Sequence, residues 1–260
     1  MAKDKRSKGA HGSSGSSTTT SSNKGNNTNN QPPISTPPAW PVFKPKLPVV
    51  DLQLEPYPGV EDKVVVFRSF WPRSLCKDYV AFLRELPLVT TPGKPKRGEA
   101  VRVNDRFQID DPKFAHRLWT ETGLKEALLK EEYLHMWGGQ VVGLNPNIRI
   151  YRYRPGQFFD AHYDDYNYVT VAPEPGAPPI SAKTTWTLLL YLTSQADGCI
   201  GGETVFFPRD RRNPKEEIAV SLETGMLLLH KHGNDCMLHE AREVTAGEKW
   251  VIRTDLCIKR

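Results

Sequence analysis

The 260-residue chain has only four cysteines, and no two of them stand in a C-x-x-C pair. Cys76, Cys199, Cys236 and Cys257 are therefore expected as reduced thiols, not as a disulfide framework or a thiolate metal site. Long apolar runs are missing too. No stretch approaches the ~18–20 apolar residues of a membrane span, and no apolar run of about seven follows Met1 as it would in a secretory leader. Without such a leader the sequon Asn26-Asn27-Thr28 carries little weight. The expectation is a cytoplasmic or nuclear protein with no membrane partner. No internal repeat is visible.

Residues 1–48 are poor in apolar side chains. Serine, threonine and asparagine runs give way to spaced prolines ending at Pro48. Such a segment cannot bury enough surface to offset chain entropy, and it is expected to be disordered. Trp40, Val42 and Phe43 are the side chains in it that could dock on a domain. The charge sits here as well. Seven basic residues stand against Asp4 in the tail, whereas the remaining 28 basic and 29 acidic residues nearly cancel, so the net +5 belongs to the tail. Lys3 to Lys8 fit a solubilising leader better than a nucleic-acid contact.

Two further regions follow. Residues 49–140 read as a helical and mixed support region. Val64 to Phe67 form a short β run, and Leu75, Tyr79, Phe82, Leu83 and Leu86 recur at helical spacing. Asp111-Pro112 opens a second helix as cap and first-turn proline, and Leu124 to Lys130 make a third. From 141 to 260 the texture is β, in many short strands parted by Gly, Pro, Asn and Asp. Helices outside a sheet and strands in a double-sheet jelly roll are the predicted architecture. The stretch Tyr166 to Ser181, with four prolines, reads as a long loop over the site or at the surface.

The chemistry gathers around R-I-Y-R-Y-R-P-G-Q-F-F-D-A-H-Y-D-D, residues 149–165. On a strand, residues two apart share a face, so His162 and Asp164 offer an imidazole and a carboxylate side by side. That is two-thirds of the 2-His-1-carboxylate triad that holds non-haem Fe(II) with open positions. His230, His232 and His239 are candidates for the third ligand. Treating Thr245-Ala246-Gly247 as a three-residue hairpin loop would pair His239 with Arg253 and favour His239. It would also set Lys249 on the same face, roughly 13 Å from the point opposite His239, within reach of a small dicarboxylate chelated to the metal. Fe(II) with one aspartate and a dianionic oxo acid leaves about −1, so a buried cation at the far carboxylate is required.

Taken together, Y-R-P-G-Q-F-F-D-A-H-Y-D-D (153–165), T-L-L-L-Y-L-T (187–193), G-G-E-T-V-F-F-P (201–208), G-M-L-L-L-H (225–230) and L-H-E-A-R-E-V-T-A-G-E-K-W-V-I-R-T-D (238–255) resemble the 2-oxoglutarate/Fe(II)-dependent dioxygenases. The similarity is to the prolyl 4-hydroxylase-like catalytic domain in particular. It implies a mainly β, double-stranded β-helix fold of jelly-roll or cupin type with flanking helices. By the same resemblance, His162, Asp164 and His239 correspond to the iron ligands and Lys249 to the anchor of the distal carboxylate of 2-oxoglutarate. Tyr153 and Thr204 correspond to its supporting donors, and Arg253 is expected to share the face of Lys249. Phe159 stands where the family often has Tyr. The implied reaction couples decarboxylation of 2-oxoglutarate by dioxygen to hydroxylation of a substrate C–H bond, with ascorbate in support. A wall of Trp186, Leu188, Leu190 and Phe206 is expected to keep water out. A protein or peptide side chain is the expected substrate. A methylated nucleic acid base, or a binding module without activity, are the alternatives.

Overall fold

The computed structural model describes residues 36–91, 93–95, 98–174, 176–210, 212–213 and 215–260. The expected disorder of residues 1–35, with the basic patch at Lys3 to Lys8, lies outside them. Nine strands carry the architecture: β1 (Val64–Phe67), β2 (Asp105–Asp110), β3 (Asn147–Tyr153), β4 (Phe158–His162), β5 (Ile180–Tyr191), β6 (Thr204–Phe207), β7 (Leu227–Lys231), β8 (Leu238–Ala241) and β9 (Lys249–Lys259). They form two facing sheets. The larger runs β1-β7-β5-β9-β3-β2, with short strands at both edges. The smaller is built on β6-β8-β4, flanked by Ile218–Val220 and Arg102–Val103. This is the predicted jelly roll.

Alternation along each strand separates two cores. One face of β5 sends Trp186, Leu188 and Leu190 outward to pack with the helices α1 (Arg73–Arg84), α2 (Pro112–Thr120) and α3 (Leu124–Leu128). The opposite face joins Tyr151, Tyr153, Tyr191, Phe206, Leu228 and Val251 between the sheets. The expected water-excluding wall is therefore corrected. Phe206 lines the interior, but Trp186, Leu188 and Leu190 back onto the helices, because residues two apart must share a side. The interior residues of β5 are Thr187, Leu189 and Tyr191.

Three other expectations change. Ala100 to Ile109, whose residue types read as a single strand, is divided: Arg102–Val103 pairs with β4 in the small sheet, while β2 pairs with β3 in the large one. Within the expected loop 166–181, Tyr168–Val171 pairs with the start of β5, so the unpaired part is short. The division at residue 140 has no counterpart in space, since β1 and β2 complete the sheet made by later strands.

Residues 36–48 are also more ordered than their composition implies. Trp40 stacks on Phe114 with ring centroids 4.1 Å apart, and its Nε1 donates to Asp111 Oδ2 at 2.7 Å. Asp111 Oδ1 meanwhile accepts from the Phe114 N–H at 2.9 Å, capping α2 as its sequence predicts. Leu47 is buried in the helical core. A few large side chains thus anchor 40–48 despite the prolines. All four cysteines are free and buried, and among the described residues no helix is long and apolar enough to cross a membrane.

Candidate metal centre

His162 and His239 face each other across the small sheet, as partners in the β4–β8 register. β4 ends at His162, and Asp164 follows just beyond it. The Asp164 N–H donates to Cys236 Sγ at 3.2 Å and its carbonyl accepts from the Gly233 N–H at 2.8 Å, which turns the carboxylate inward. Candidate ligand atoms of His162, Asp164 and His239 all lie within 4.8 Å of one another. Each Nε2 stands 3.8 Å from an Asp164 oxygen.

The tautomers follow from the outer bonds. His162 Nδ1 meets the Asp160 carbonyl at 2.7 Å and His239 Nδ1 meets the Met237 carbonyl at 2.9 Å. A carbonyl only accepts, so both Nδ1 atoms carry the proton and both Nε2 lone pairs point at the carboxylate. Burial keeps the two imidazoles neutral by pushing their protonation below the usual range. Burial opposes charge on Asp164 too, but the adjoining Arg253 guanidinium prevails and holds it well below the usual carboxylate range. Two bare imidazole nitrogens around an anionic oxygen suit a divalent ion of the Fe(II) type.

The other candidates separate clearly. His232 is tied by both ring nitrogens, to Thr187 Oγ1 at 3.0 Å and Thr184 Oγ1 at 2.9 Å, and has no lone pair to spare. The Thr187 hydroxyl in turn donates to Asp164 Oδ2 at 2.9 Å. His230 points into the site from the large sheet, with Nε2 3.6 Å from Asp164 Oδ2.

Lys249 starts β9 and pairs with Tyr153 on β3. It is 2% exposed, its Nζ donates to the Gly202 carbonyl at 2.6 Å, and it lies over the rings of Tyr153 and Tyr191 at 5.4 and 5.5 Å. Burial, only partly offset by Cys199 and Glu203, lowers its ammonium to about 8. Such a cation is ready for an anion. Thr204 Oγ1 bonds the Tyr191 hydroxyl at 2.7 Å nearby. Tyr191 escaped the sequence reading, although its place two and four residues from Leu189 and Thr187 marks the same face.

The route to this face was wrong in one respect. β8 does not form a hairpin with β9. It pairs with β6 and β4, while β9 pairs with β5 and β3 in the opposite sheet. Residues 244–246 instead pair with Ile200–Gly201, which carries the chain across between sheets. Lys249 and Arg253 do share a face, four residues or about 13 Å apart. Arg253 is at the metal end, however, gripping Asp164 at 2.9 and 3.2 Å and lying 3.6 Å from Asp255. Arg102, Arg106 and Arg149 gather on the same side around Tyr151. Burial alone would raise that phenol, and these cations with Arg253 lower it to about 8.

A two-layer jelly roll with a cluster of two imidazoles and a carboxylate and a buried lysine is an arrangement that could hold a metal ion and a small anion. Residues 148–254 match the family model of the 2OG-Fe(II) oxygenase superfamily. That stretch is therefore similar to the superfamily, and the fold agrees with it. Its fold is similar to a prolyl-4-hydroxylase from Pseudomonas putida, at 17% identity and TM-score 0.52, covering 76% of this chain and 94% of that one. Also similar are a viral collagen prolyl hydroxylase from Paramecium Bursaria Chlorella virus-1 in complex with 2OG and a Trichoplax adhaerens prolyl hydroxylase in complex with a hypoxia inducible factor peptide. The first is 17% identical with TM-score 0.45, covering 75% of this chain and 96% of its own. The second is 14% identical with TM-score 0.47, covering 75% and 83%. No curated protein matches the chain.

Proposed function

We propose that the protein hydroxylates a C–H bond on a protein side chain, using Fe(II) held by His162, Asp164 and His239 and 2-oxoglutarate anchored by Lys249. One observation carries this reading. A buried lysine on the inner face of the large sheet is set opposite the His and Asp donors that converge from the small one, which gives a dicarboxylate a site for each end. Bound together, Fe(II) and 2-oxoglutarate would activate dioxygen, one oxygen atom going into succinate as 2-oxoglutarate is oxidised and decarboxylated and the other into the substrate C–H bond. The chain's own residues do the rest. Lys249 and Tyr153 orient the distal carboxylate, and Thr204 with Tyr191 lines its path. Thr187 and Arg253 hold the Asp164 carboxylate in place. Phe206, Leu189 and Val251 exclude water. Ascorbate, as a reductant of the iron, belongs to the same proposal.

Peptide rather than nucleic acid is favoured by the near-neutral charge of residues 49–260, which gives no basic track for phosphates. Wild type and Asp164→Ala are to be compared with Fe(II) and 2-oxoglutarate in air, following succinate and then oxygen gain on peptides from a digested proteome. Succinate in wild type only, with one oxygen added to particular residues, is the expected result. Release of formaldehyde from methylated oligonucleotides without peptide oxidation would overturn the substrate assignment.

A further inference from the structure

The inner face of the large sheet carries more positive charge than its carboxylates balance. Register sets Arg106 of β2 opposite Tyr151 of β3, and puts Gln108, Arg149 and Arg253 in one row across β2, β3 and β9. Arg102 reaches the same place from the edge of the small sheet, where it pairs with Phe159 on β4. All four guanidiniums act on the Tyr151 hydroxyl.

Two of the four have carboxylates. Arg149 pairs with Asp255, and Arg253 with Asp164 at 2.9 Å. Among the described residues Arg102 and Arg106 make no ion pair. Arg106 donates to the neutral Gln108 side chain, and its Nε is buried with no hydrogen-bond partner. Arg102 lies over the ring of Phe159, 5.1 Å from its centroid. Burial opposes ionisation of Tyr151 while the cations favour it, and at about 8 the phenol is still neutral at pH 7, so it supplies no counter-charge. Desolvated guanidiniums side by side without an anion cost free energy. A pair kept only to brace the fold would be matched within it, as Arg152 is by Asp105 on the opposite face of the same strands.

The position of the two arginines narrows the missing anion. The Phe159 ring that Arg102 covers stacks on His162 with centroids 3.6 Å apart, so the unmatched charge lies beside the metal donors. Under the proposed function both ends of 2-oxoglutarate already have places, one at the metal and one at Lys249. The remaining charge is left for the substrate. Both side chains are half-buried, so an incoming group can reach them. Guanidinium N–H groups fit a carboxylate in pairs. We propose that Arg102 and Arg106 form a carboxylate subsite beside the metal centre, and that the substrate is an acidic peptide with an Asp or Glu side chain next to the residue oxidised. The inference rests on the peptide-hydroxylating function proposed above.

The full chain loaded with manganese(II) and 2-oxoglutarate in the absence of oxygen holds substrate without turnover. Immobilised in that form, it is exposed to peptides in which Asp, Glu, Ala or Lys occupies each position in turn around a randomised centre, and retained peptides are counted by mass spectrometry. Asp and Glu should be enriched about tenfold or more over Lys at one position. That preference should be lost in Arg102→Gln and Arg106→Gln and partly kept in Arg106→Lys. Wild type that retains acidic and basic peptides alike, or retains none, would overturn the inference, and that comparison needs no variant to fold. Variants that need more 2-oxoglutarate yet keep the acidic preference would assign the arginines to the co-substrate and overturn it too. Failure of wild type to take up manganese and 2-oxoglutarate, followed by the manganese resonance, would instead remove the function on which it rests.

Discussion

At the scale of single residues, the site turns on what burial does to charge. Lys249 carries an ammonium lowered from 10.5 to about 8 by burial. Between those values the unfolded chain binds the proton and the folded one without ligand does not, so stability gains as pH rises through that window. Below pH 8 the buried charge is an uncompensated burden. A carboxylate at Nζ favours the charged form, so 2-oxoglutarate affinity should hold steady below pH 8 and fall above it, approaching about tenfold per pH unit. In Lys249→Arg the cation persists and the profile should flatten. Calorimetric titration of 2-oxoglutarate across this range makes the comparison, and a wild-type profile as flat as the variant's would remove Lys249 as the anchor. The convergence of His162, Asp164 and His239 was legible from sequence because residue type and spacing both limit them. The place of His230, also a candidate, was less legible, because it ends the apolar run Leu227-Leu228-Leu229 and looks like core. The grip of Arg253 on Asp164 was not legible, as it spans 89 residues and depends on two sheets meeting.

Among elements, local signals read true and long-range pairing did not. The Asp111-Pro112 start of α2, the helical spacing of α1 and the run of β1 each lie within a few residues. The assumed β8–β9 hairpin failed because a three-residue loop is only one way to join two strands; here the chain crosses between sheets instead. The segment before residue 49 makes the same point from the other side. Its composition signals disorder, yet a single tryptophan finds both a ring and a carboxylate on α2. Trp40→Ala should cost about 1–3 kcal/mol through lost burial and stacking. Val42→Ala, at a residue 58% exposed, should stay within about 0.5 kcal/mol of wild type. Urea denaturation separates the two, and equal midpoints would show that residues 40–48 do not stabilise the domain.

At the scale of the whole molecule, the two sheets divide the labour. The small sheet brings His162 and His239 together by register, and the large one presents Lys249, Arg253, Thr187 and His230 from the facing side. The outer face of the large sheet is given over to the helices, which fix its position without entering the site. Oxygenase chemistry therefore requires both sheets to be folded and facing. The direct test is an anaerobic titration of the full chain with Fe(II) and 2-oxoglutarate, watching for the visible charge-transfer band of the chelate. The band should appear in wild type, vanish in Asp164→Ala, and need far more 2-oxoglutarate in Lys249→Ala. A folded wild-type protein that gives no band would contradict the proposed site.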